Sequence, residues 1–455
     1  MWSTLLLLLP LAGFAKSQSN SACDAACQSA YQAALSIESS NWVNKDVPSD
    51  PFYSTPANGS AAKPGDLLRW EDLPPSELSG QNWTIPGGMS LSRFLYMSED
   101  IDGKPIPASG FVLLPYATPD PNKPFNTLVW THGTAGRVRN CAPSNHKALY
   151  YEWEGPFTLA QAGYAVVAPD YAGLGSDIPQ GFMYEAGFLH AADAAYGLIA
   201  ARKILGSLLS NDWVVIGHSE GGMTAWRTNE RLAMANQTAL LRAGKFLGAV
   251  AGAPALRPLD LIPESFRRAA GGPVGDVVSI YFLQALARLF PDQIRVEDYF
   301  SDIVMGRLPL ADSSCLISGS ILFQNLTQEQ LYKNTSWLTH PAVVDWQNRY
   351  NGAGPHPLAA PMLVAQGLGD ILTYANNTER DFNLTCNSFP DSRAELRLYP
   401  RLDHGVSFGA ASIDYLAWIA DRFNGVEVKA GCMTQTVKPA TNRYTTIQIN
   451  WSGHA

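Results

Sequence analysis

One serine of this 455-residue chain has the sequence surroundings of a nucleophile. Three apolar residues, Val214-Val215-Ile216, lead into Gly217-His218-Ser219-Glu220-Gly221, and the residues that follow have the pattern of a helix. A Gly-x-Ser-x-Gly sequence between a strand and a helix predicts a sharp turn, the nucleophile elbow, that lifts the serine above a sheet. Glycine is needed at both ends of that turn because a Cβ atom would crowd the neighbouring strand and helix. A serine hydroxyl is a weak nucleophile by itself, so the pattern requires a histidine base and a carboxylate further along the chain.

Asp370 and His404 are the candidate partners of Ser219, because each follows a predicted strand. Strands are predicted over Pro361–Gly367 and Ala394–Tyr399, and groups at strand ends can meet above a sheet in the order serine, acid, histidine. Ser219 would attack an acyl carbon, and His404 would take its proton and return it to the leaving group. Asp370 would hold the imidazole tautomer and stabilise its positive form. This chemistry is acyl transfer.

The sequence leaves more than one choice for the acid and for the base. Asp370 is also a plausible turn residue before the next helix. Asp403 directly precedes His404, although the side chains of adjacent residues usually diverge. Glu379 and Asp381 are further candidates for the acid, and His340 and His356 are further candidates for the base.

Acyl transfer also needs donors for the oxyanion that develops on the substrate. The backbone N–H of Glu220, directly after the nucleophile, is one candidate. The second is expected in the loop after an early strand, where Thr134 is preferred and Gly133 is the neighbouring choice. His132, in the same loop, and His218 are interpreted as packed histidines. Glu220 could in addition be a favourable anion at a helix start.

The elements that must position these residues are strands alternating with helices. A hairpin is predicted around Asp102-Gly103, and a helix from His190 to Leu209 by its apolar spacing. Continuous apolar strands separated by helices predict the α/β class, with a mostly parallel sheet covered by helices on both faces. The hairpin strands are 94–97 and 110–115, and the further strands are 127–130, 164–168, 213–216 and 246–250.

The alternation stops for about a hundred residues in the second half of the chain. Residues 258–359 are predicted to be a helical cap inserted between two core strands, over the edge of the sheet where such proteins place their sites. The core would comprise residues 18–257 and 360–455, with an N-terminal arm up to about residue 90 and a C-terminal flap with β-type alternation in 444–449. Further helices are predicted over 25–37, 276–289, 328–337 and 412–423.

Composition and termini indicate an exported globular protein. Apolar residues make up 46% and charged residues 16%, which excludes disorder as the main state. The net charge of −8 and the absence of a basic tract exclude a nucleic-acid partner. Residues 1–17 resemble a secretory signal peptide without a basic first part, and no later apolar run is long enough to span a bilayer.

Glycosylation and disulfides are expected in an exported chain. Eight Asn-x-Ser/Thr sequons occur, at Asn58, Asn82, Asn236, Asn325, Asn334, Asn376, Asn383 and Asn450. Six cysteines allow fifteen pairings, and the sequence does not choose among them. The pairing we favour joins Cys23 to Cys27, Cys141 to Cys315, and Cys386 to Cys432. A metal site is not expected, because no paired ligand spacing accompanies the cysteines.

Three longer motifs resemble those of a known family. They are Trp130-Thr131-His132-Gly133-Thr134-Ala135-Gly136 followed by Cys141-Ala142-Pro143-Ser144, then Gly163-Tyr164-Ala165-Val166-Val167-Ala168-Pro169-Asp170-Tyr171-Ala172-Gly173-Leu174-Gly175, and then the elbow itself. Together with the hairpin they are similar to the fungal and bacterial secretory lipases, the lipase-A-like α/β-hydrolases. The resemblance implies an α/β-hydrolase fold with a helical cap, esterase or lipase activity on hydrophobic esters, and no cofactor. The family commonly has Gln at the position of Glu220, and Asp170 and Tyr171 match a motif near its site.

The prediction is therefore a secreted serine carboxylic-ester hydrolase that works through an acyl-enzyme. Its partners would be a hydrophobic ester and a lipid interface, while the oligomeric state stays open. One alternative is a serine peptidase of the same fold, which would carry charged groups in its cap to recognise a peptide terminus. The apolar residues Ile280–Leu283 and Leu289-Phe290 of the predicted cap favour the ester. A second alternative is a non-catalytic binding protein with a hydrolase fold.

Overall fold

A ten-stranded sheet forms the centre of the computed structural model, which describes residues 22–80, 82–275 and 277–447. The sheet order is β1-β2-β3-β5-β4-β6-β7-β8-β9-β10. The strands from β5 to β10 in this order are parallel to one another, and β1, β2 and β3 add an antiparallel side. The strands are β1 Leu67–Asp72, β2 Met89–Glu99, β3 Pro105–Pro115, β4 Phe125–Thr131, β5 Ala165–Pro169, β6 Leu209–His218, β7 Lys245–Gly252, β8 Met362–Gly367, β9 Arg393–Tyr399 and β10 Gly431–Thr436.

Helices cover both faces of this sheet. They are α1 Ala25–Ser40, α2 Pro156–Gln161, α3 Gly187–Leu205, α4 Glu220–Ala233, α5 Thr238–Leu241, α6 Pro258–Ala269, α7 Val278–Leu289, α8 Val296–Tyr299, α9 Asp302–Ala311, α10 Leu316–Phe323, α11 Gln328–Leu331, α12 Pro341–Trp346, α13 Ala375–Ser388, α14 His404–Ala410 and α15 Ser412–Phe423. The apolar residues of α3, α4 and α13 pack on one face, and those of α2 and α15 on the other. Because both faces are covered, the central strands are buried along nearly their whole length. The predicted α/β class with a mostly parallel sheet is confirmed.

The predicted hairpin and six core strands are present. β2 and β3 pair along their full length, from Met89 opposite Pro115 to Glu99 opposite Pro105, and Gly103 turns between them at φ 74°. The three predicted disulfides are also confirmed. The bridge between Cys141 and Cys315 ties the loop after β4 to the start of α10.

Some sequence-based boundaries were wrong. The helix expected over 328–337 ends at Leu331, because Tyr332 turns away to pair with Phe300 and to pack against aromatic neighbours. The helix from His190 begins earlier, at Gly187, and ends at Leu205. The helix expected from Asp276 begins at Val278, and Asp276 itself lies outside the described residues.

The two edges of the sheet come from segments in which no strand was predicted. β1 belongs to the segment interpreted as an N-terminal arm, and its residues are only partly buried. β10 lies in the C-terminal segment, runs parallel to β9, and is joined to α13 by the disulfide from Cys432 to Cys386. The alternation at 444–449 forms no strand in residues 444–447, and the remainder lies outside the described residues, as does the expected signal peptide.

In the part that the structure describes, residues 258–359 contain seven α-helices, α6 to α12, between β7 and β8, and no strand. They lie beyond the carboxyl end of β7, on the side of the sheet where Ser219 follows β6. The helices α6 and α7 supply much of the wall of the cavity at Ser219.

Candidate active site

Ser219 stands at a sharp turn between β6 and α4. Its backbone has φ 60° and ψ −123°, a conformation that side chains rarely adopt, and its N–H donates to the carbonyl of Gly252 at 2.9 Å. A Cβ at position 217 would lie 2.1 Å from Thr131 Oγ1, and one at position 221 would lie 1.9 Å from the Thr131 carbonyl oxygen. Both flanking glycines are therefore required by close approach of the next strand.

Asp370 and His404 are joined by a hydrogen bond. His404 Nδ1 donates to Asp370 Oδ2 at 2.8 Å. Asp370 follows β8, and His404 is the first residue of α14, which follows β9. Thr373 contacts both residues of this pair, because its hydroxyl donates to Asp370 Oδ2 at 2.8 Å and lies 3.3 Å from His404 Nδ1. The two residues proposed from sequence as acid and base are thus in direct contact.

The Asp370 carboxylate is held in its charged form. Burial raises its pKa, but the adjacent His404 and the N–H groups of Leu372 and Thr373, at 2.8 and 2.9 Å, outweigh burial and bring the pKa to about 2. Gln366 adds a further donor at 3.1 Å. A fixed carboxylate with all its donors in place can orient one tautomer of His404, with the proton on Nδ1.

Four of the five alternative acids and bases have contacts elsewhere, and Glu379 lies on α13, after the loop that carries Asp370. Asp403 caps α14 by accepting from the N–H of Val406, and Asp381 pairs with Arg380. His340 caps α12, and the ring of His356 packs against that of Phe188.

His218 links the elbow to the histidine. Its Nε2 lies 3.0 Å from the carbonyl oxygen of His404 and its Nδ1 lies 2.9 Å from the hydroxyl of Tyr151. A carbonyl only accepts, so Nε2 carries the proton and Nδ1 accepts from Tyr151. Burial, reinforced by the neighbouring His404, lowers the pKa of His218 to about 3, so the ring stays neutral. His218 therefore positions the backbone of His404 and is not itself the base.

Thr134 and Glu220 are the residues proposed from sequence to supply the oxyanion donors. Thr134 lines the same cavity as Ser219, and Glu220 begins α4 directly after it. Among the described residues, neither backbone N–H donates to a carbonyl, so both are available as oxyanion donors. Gly133 packs closely, since a Cβ there would lie 2.0 Å from the Tyr151 hydroxyl.

A left-handed turn supports this loop. Four consecutive residues, Leu149, Tyr150, Tyr151 and Glu152, have φ between 44° and 71°. Such backbone costs about 1–2 kcal/mol per residue for L-amino acids. The turn places the Tyr150 hydroxyl 2.6 Å from the Thr134 carbonyl oxygen, while Tyr151 reaches His218. Strain concentrated beside a nucleophile is typical of functional sites.

A cavity of about 370 Å³ opens over Ser219. Its walls are mostly apolar and come from α6, α7 and the loop after β8. Glu185 and Arg268 are the ionisable residues of acidic or basic type among its lining, and Arg268 is bonded to Glu264 and stacked on Tyr374. The apolar lining residues include Leu261, Ile262, Val274, Val278, Phe282, Ile371 and Leu372.

Asp170 and Tyr171, in the sequence motif that follows β5, make hydrogen bonds that support the site. The buried Asp170 accepts from the hydroxyl groups of Ser109 and Ser144 at 2.6 and 2.5 Å. Tyr171 donates to the carbonyl of His132 and stacks on its ring at 4.3 Å. Burial lowers the pKa of His132 to about 4. These residues brace the loop that carries Thr134.

Sequence reasoning missed Thr373, Tyr151 and Glu185. Thr373 could have been found from its position shortly after Asp370, since an Asp side chain in a turn commonly accepts from the residues that follow it, as Asp370 does here. Tyr151 and Glu185 come from distant loops, and the sequence around them carries no signal. In the described part of the chain, no group of three or more His, Cys, Asp or Glu could hold a metal ion, and no helix is long and apolar enough to cross a membrane.

Comparison with known proteins agrees with this architecture. A family model described as the alpha/beta hydrolase family matches residues 128–409, from β4 through α14. No curated protein sequence matches the chain.

Several solved structures have a similar fold. Candida antarctica lipase A in its closed state superposes with a TM-score of 0.66 at 17% identity, over 85% of this chain and 88% of the lipase. A second structure of that lipase gives 0.67 at 16% identity, over 86% and 90% of the two chains. The rice cell wall degrading esterase LipA from Xanthomonas oryzae gives 0.60 at 16% identity, over 80% of this chain and 99% of the esterase.

Proposed function

Because the chain belongs to the alpha/beta hydrolase family, we propose that it is a secreted lipase-A-like carboxylic-ester hydrolase that acts on hydrophobic esters through an acyl-enzyme. One observation supports this proposal most directly. Ser219, at a strained elbow, lines an apolar cavity together with Thr373, which contacts both members of the Asp370–His404 pair.

The reaction follows from the roles of these groups. Ser219 Oγ attacks the ester carbonyl carbon while His404 Nε2 takes the hydroxyl proton, and Asp370 stabilises the imidazolium that forms. The N–H groups of Glu220 and Thr134 bind the developing oxyanion. His404 then gives its proton to the departing alkoxide, and the acyl group remains on Ser219. Water repeats the steps in the second half, releasing the acid and restoring the serine.

The cavity favours an ester with an apolar acyl group. A peptide terminus would need a free charged partner in the wall, whereas the lining cation Arg268 is already bonded to Glu264. We propose that residues 258–359 act as a cap, since α6 and α7 supply the apolar wall over Ser219.

A lipid interface would meet the apolar rim of this cavity. Ile371 and Leu372 line it and are 69% and 52% exposed, and Leu368, close in sequence, is 44% exposed. Apolar side chains grouped at the mouth of a site are typical of contact with a lipid phase.

Export is supported by the disulfides and by the sequons. Three disulfides are expected in an oxidising compartment. The asparagines of five sequons are exposed to solvent, as a glycan requires. They are Asn236, Asn325, Asn334, Asn376 and Asn383.

The activity is tested with p-nitrophenyl esters of increasing acyl length and with p-nitroanilides of amino acids. We expect hydrolysis of the esters, improving from acetate to medium chains as the apolar cavity fills, and no hydrolysis of the anilides. Ser219→Ala should abolish turnover, and its fold is checked by circular dichroism. Anilide hydrolysis in preference to esters would replace the proposal with a peptidase, and no turnover of either would indicate a binding protein.

A further inference from the structure

Four polar residues form a ring next to the oxyanion donors. The Thr134 hydroxyl lies 2.9 Å from the Tyr184 hydroxyl and close enough to the Glu220 carboxyl to lower its pKa. The Tyr184 hydroxyl likewise acts to lower the pKa of the Glu185 carboxyl, and the backbone N–H of Glu185 donates to Glu220 Oε1 at 3.3 Å. The ring thus joins the two residues whose N–H groups are proposed to bind the oxyanion.

The two carboxyl groups of this ring are deeply buried beside the reacting atoms. Glu220 is fully buried and Glu185 is 3% exposed, yet Glu185 lines the cavity that contains Ser219. Oxygen Oε2 of each residue is buried without a hydrogen-bond partner among the described residues. Glu185 also has φ 60°, a strained conformation for a residue with a side chain. The fold therefore maintains this arrangement at a cost in stability.

The surroundings supply no free positive charge to the pair. His190 Nδ1, from α3, lies 3.8 Å from Glu220 Oε1, but burial lowers the pKa of His190 to about 3 and the ring is neutral. Arg227, from α4, is bonded to Glu230 at 2.7 Å, and its charge lowers the pKa of Glu185 by less than burial and Glu220 raise it. The remaining titratable groups that act on the pair are tyrosines whose burial raises their pKa, and they are neutral as well: Tyr150, Tyr151 and Tyr171.

Two buried neighbouring carboxyl groups whose nearest cation is already paired resist ionisation at neutral pH. Burial raises the pKa of both Glu220 and Glu185, and for Glu185 the neighbouring Glu220 raises it further. In the protonated state the ring is neutral. Loss of a proton would place a negative charge directly behind the site where the substrate oxyanion forms.

We propose that Glu220 and Glu185 are positioning residues that hold the oxyanion donors in place as a protonated pair, and that loss of this proton sets the alkaline limit of catalysis. This proposal rests on the proposed function. At an effective dielectric constant near 20, a unit charge roughly 6 to 12 Å from an oxyanion slows its formation by roughly 100- to 10-fold. Activity should thus fall on the acid side as His404 takes a proton and on the alkaline side as the pair loses one.

The test compares pH profiles of kcat/KM for the wild type, Glu220→Gln and Glu185→Gln. Glutamine keeps the size and the hydrogen bonds of a protonated carboxyl but cannot ionise. We expect each variant to move the alkaline limb upward by at least one pH unit, measured relative to the variant's own plateau at neutral pH. Glu329→Gln, on the short helix α11 and outside both the ring and the lining of the cavity, is the matched control and should keep the wild-type profile.

A second readout does not depend on catalysis. Because the folded-state pKa values are raised, the folded protein binds more protons than the unfolded chain above about pH 4.5, and its stability falls as pH rises toward those pKa values. The Glu220→Gln variant does not lose stability in this way, because glutamine cannot ionise. The difference in melting temperature between this variant and the protein with Glu220 should therefore increase from pH 5 to pH 9. This comparison is made in the Ser219→Ala background.

The two readouts separate the proposals. An alkaline limb that is unmoved in both Gln variants, or a wild-type profile without such a limb, would overturn the role of the pair. A melting-temperature difference that does not change with pH would overturn its protonation. A wild-type protein that hydrolyses no ester would refute the proposed function, while the stability comparison would still decide whether the pair is protonated.

Discussion

Replacement of Asp370 by Asn removes a charge while it keeps the shape of the side chain. The N–H groups of Leu372 and Thr373 donate to Oδ1 at 2.8 and 2.9 Å, so the amide oxygen of Asn must occupy that position. The amide NH₂ would then face His404 Nδ1. His404 would be forced into the tautomer with its proton on Nε2, which cannot accept the proton of Ser219.

The expected loss in rate follows from the distance between the Asp370 carboxylate and the His404 ring. The charges of Asp370 and an imidazolium at His404 are separated by 2.8 Å between the bonded atoms. At an effective dielectric constant of 20 their attraction is about 6 kcal/mol, which corresponds to about 10⁴-fold in rate. A loss of this size is also typical when the acid of a serine triad is changed to the amide.

The assay measures kcat and KM on a medium-chain p-nitrophenyl ester across pH, with the fold checked by circular dichroism. We expect kcat to fall by about 10⁴ and KM to change little. Asp403→Asn is the matched control, since Asp403 adjoins His404 but caps α14. It should lose less than tenfold in kcat and about 1 kcal/mol of stability. Asp370→Asn with more than a tenth of wild-type kcat, or an equal loss in Asp403→Asn, would refute the reasoning.

Two further predictions concern the scaffold. Gly221→Ala should reduce activity at least 100-fold or prevent folding, because the added Cβ would lie 1.9 Å from the Thr131 carbonyl oxygen. The control is Gly409→Ala in α14, where an added Cβ meets open space. This control should leave stability unchanged or raise it by up to about 1 kcal/mol. Circular dichroism and ester hydrolysis check both, and full activity of Gly221→Ala would contradict the geometry. Replacing both Cys386 and Cys432 by Ala removes a cross-link between residues that are 46 positions apart in the sequence. This double change should lower the free energy of unfolding by about 4 kcal/mol and change kcat little. Denaturant titration measures this loss of stability, and an unchanged midpoint would show that β10 stays paired with β9 without the disulfide.

The central strands and the elbow were predictable because their signals are local. Buried strands such as β4 and β8 are continuous apolar runs, and the glycines around Ser219 are marked by their spacing, although the contacts that require them come from Thr131 of the neighbouring strand. Asp370 and His404 could be placed by their positions after strands.

The edges of the sheet and the support of the site depend on tertiary contacts. β10 is short, polar and largely exposed, and a disulfide and pairing with β9 hold it in place. The left-handed turn that brings Tyr150 and Tyr151 to the site has no glycine to mark it. The ring through Glu185 joins loops that are distant in sequence, so periodicity could not reveal it.

Covalent trapping at the nucleophile tests the central claim most directly. The protein is treated with an alkyl p-nitrophenyl phosphonate, and the modified peptide is identified by mass spectrometry, with Ser219→Ala as the control. We expect one phosphonyl group per chain on Ser219, loss of ester hydrolysis in proportion to labelling, and no label in the variant. Stoichiometric labelling at another serine, or full hydrolysis by protein labelled at Ser219, would contradict the account.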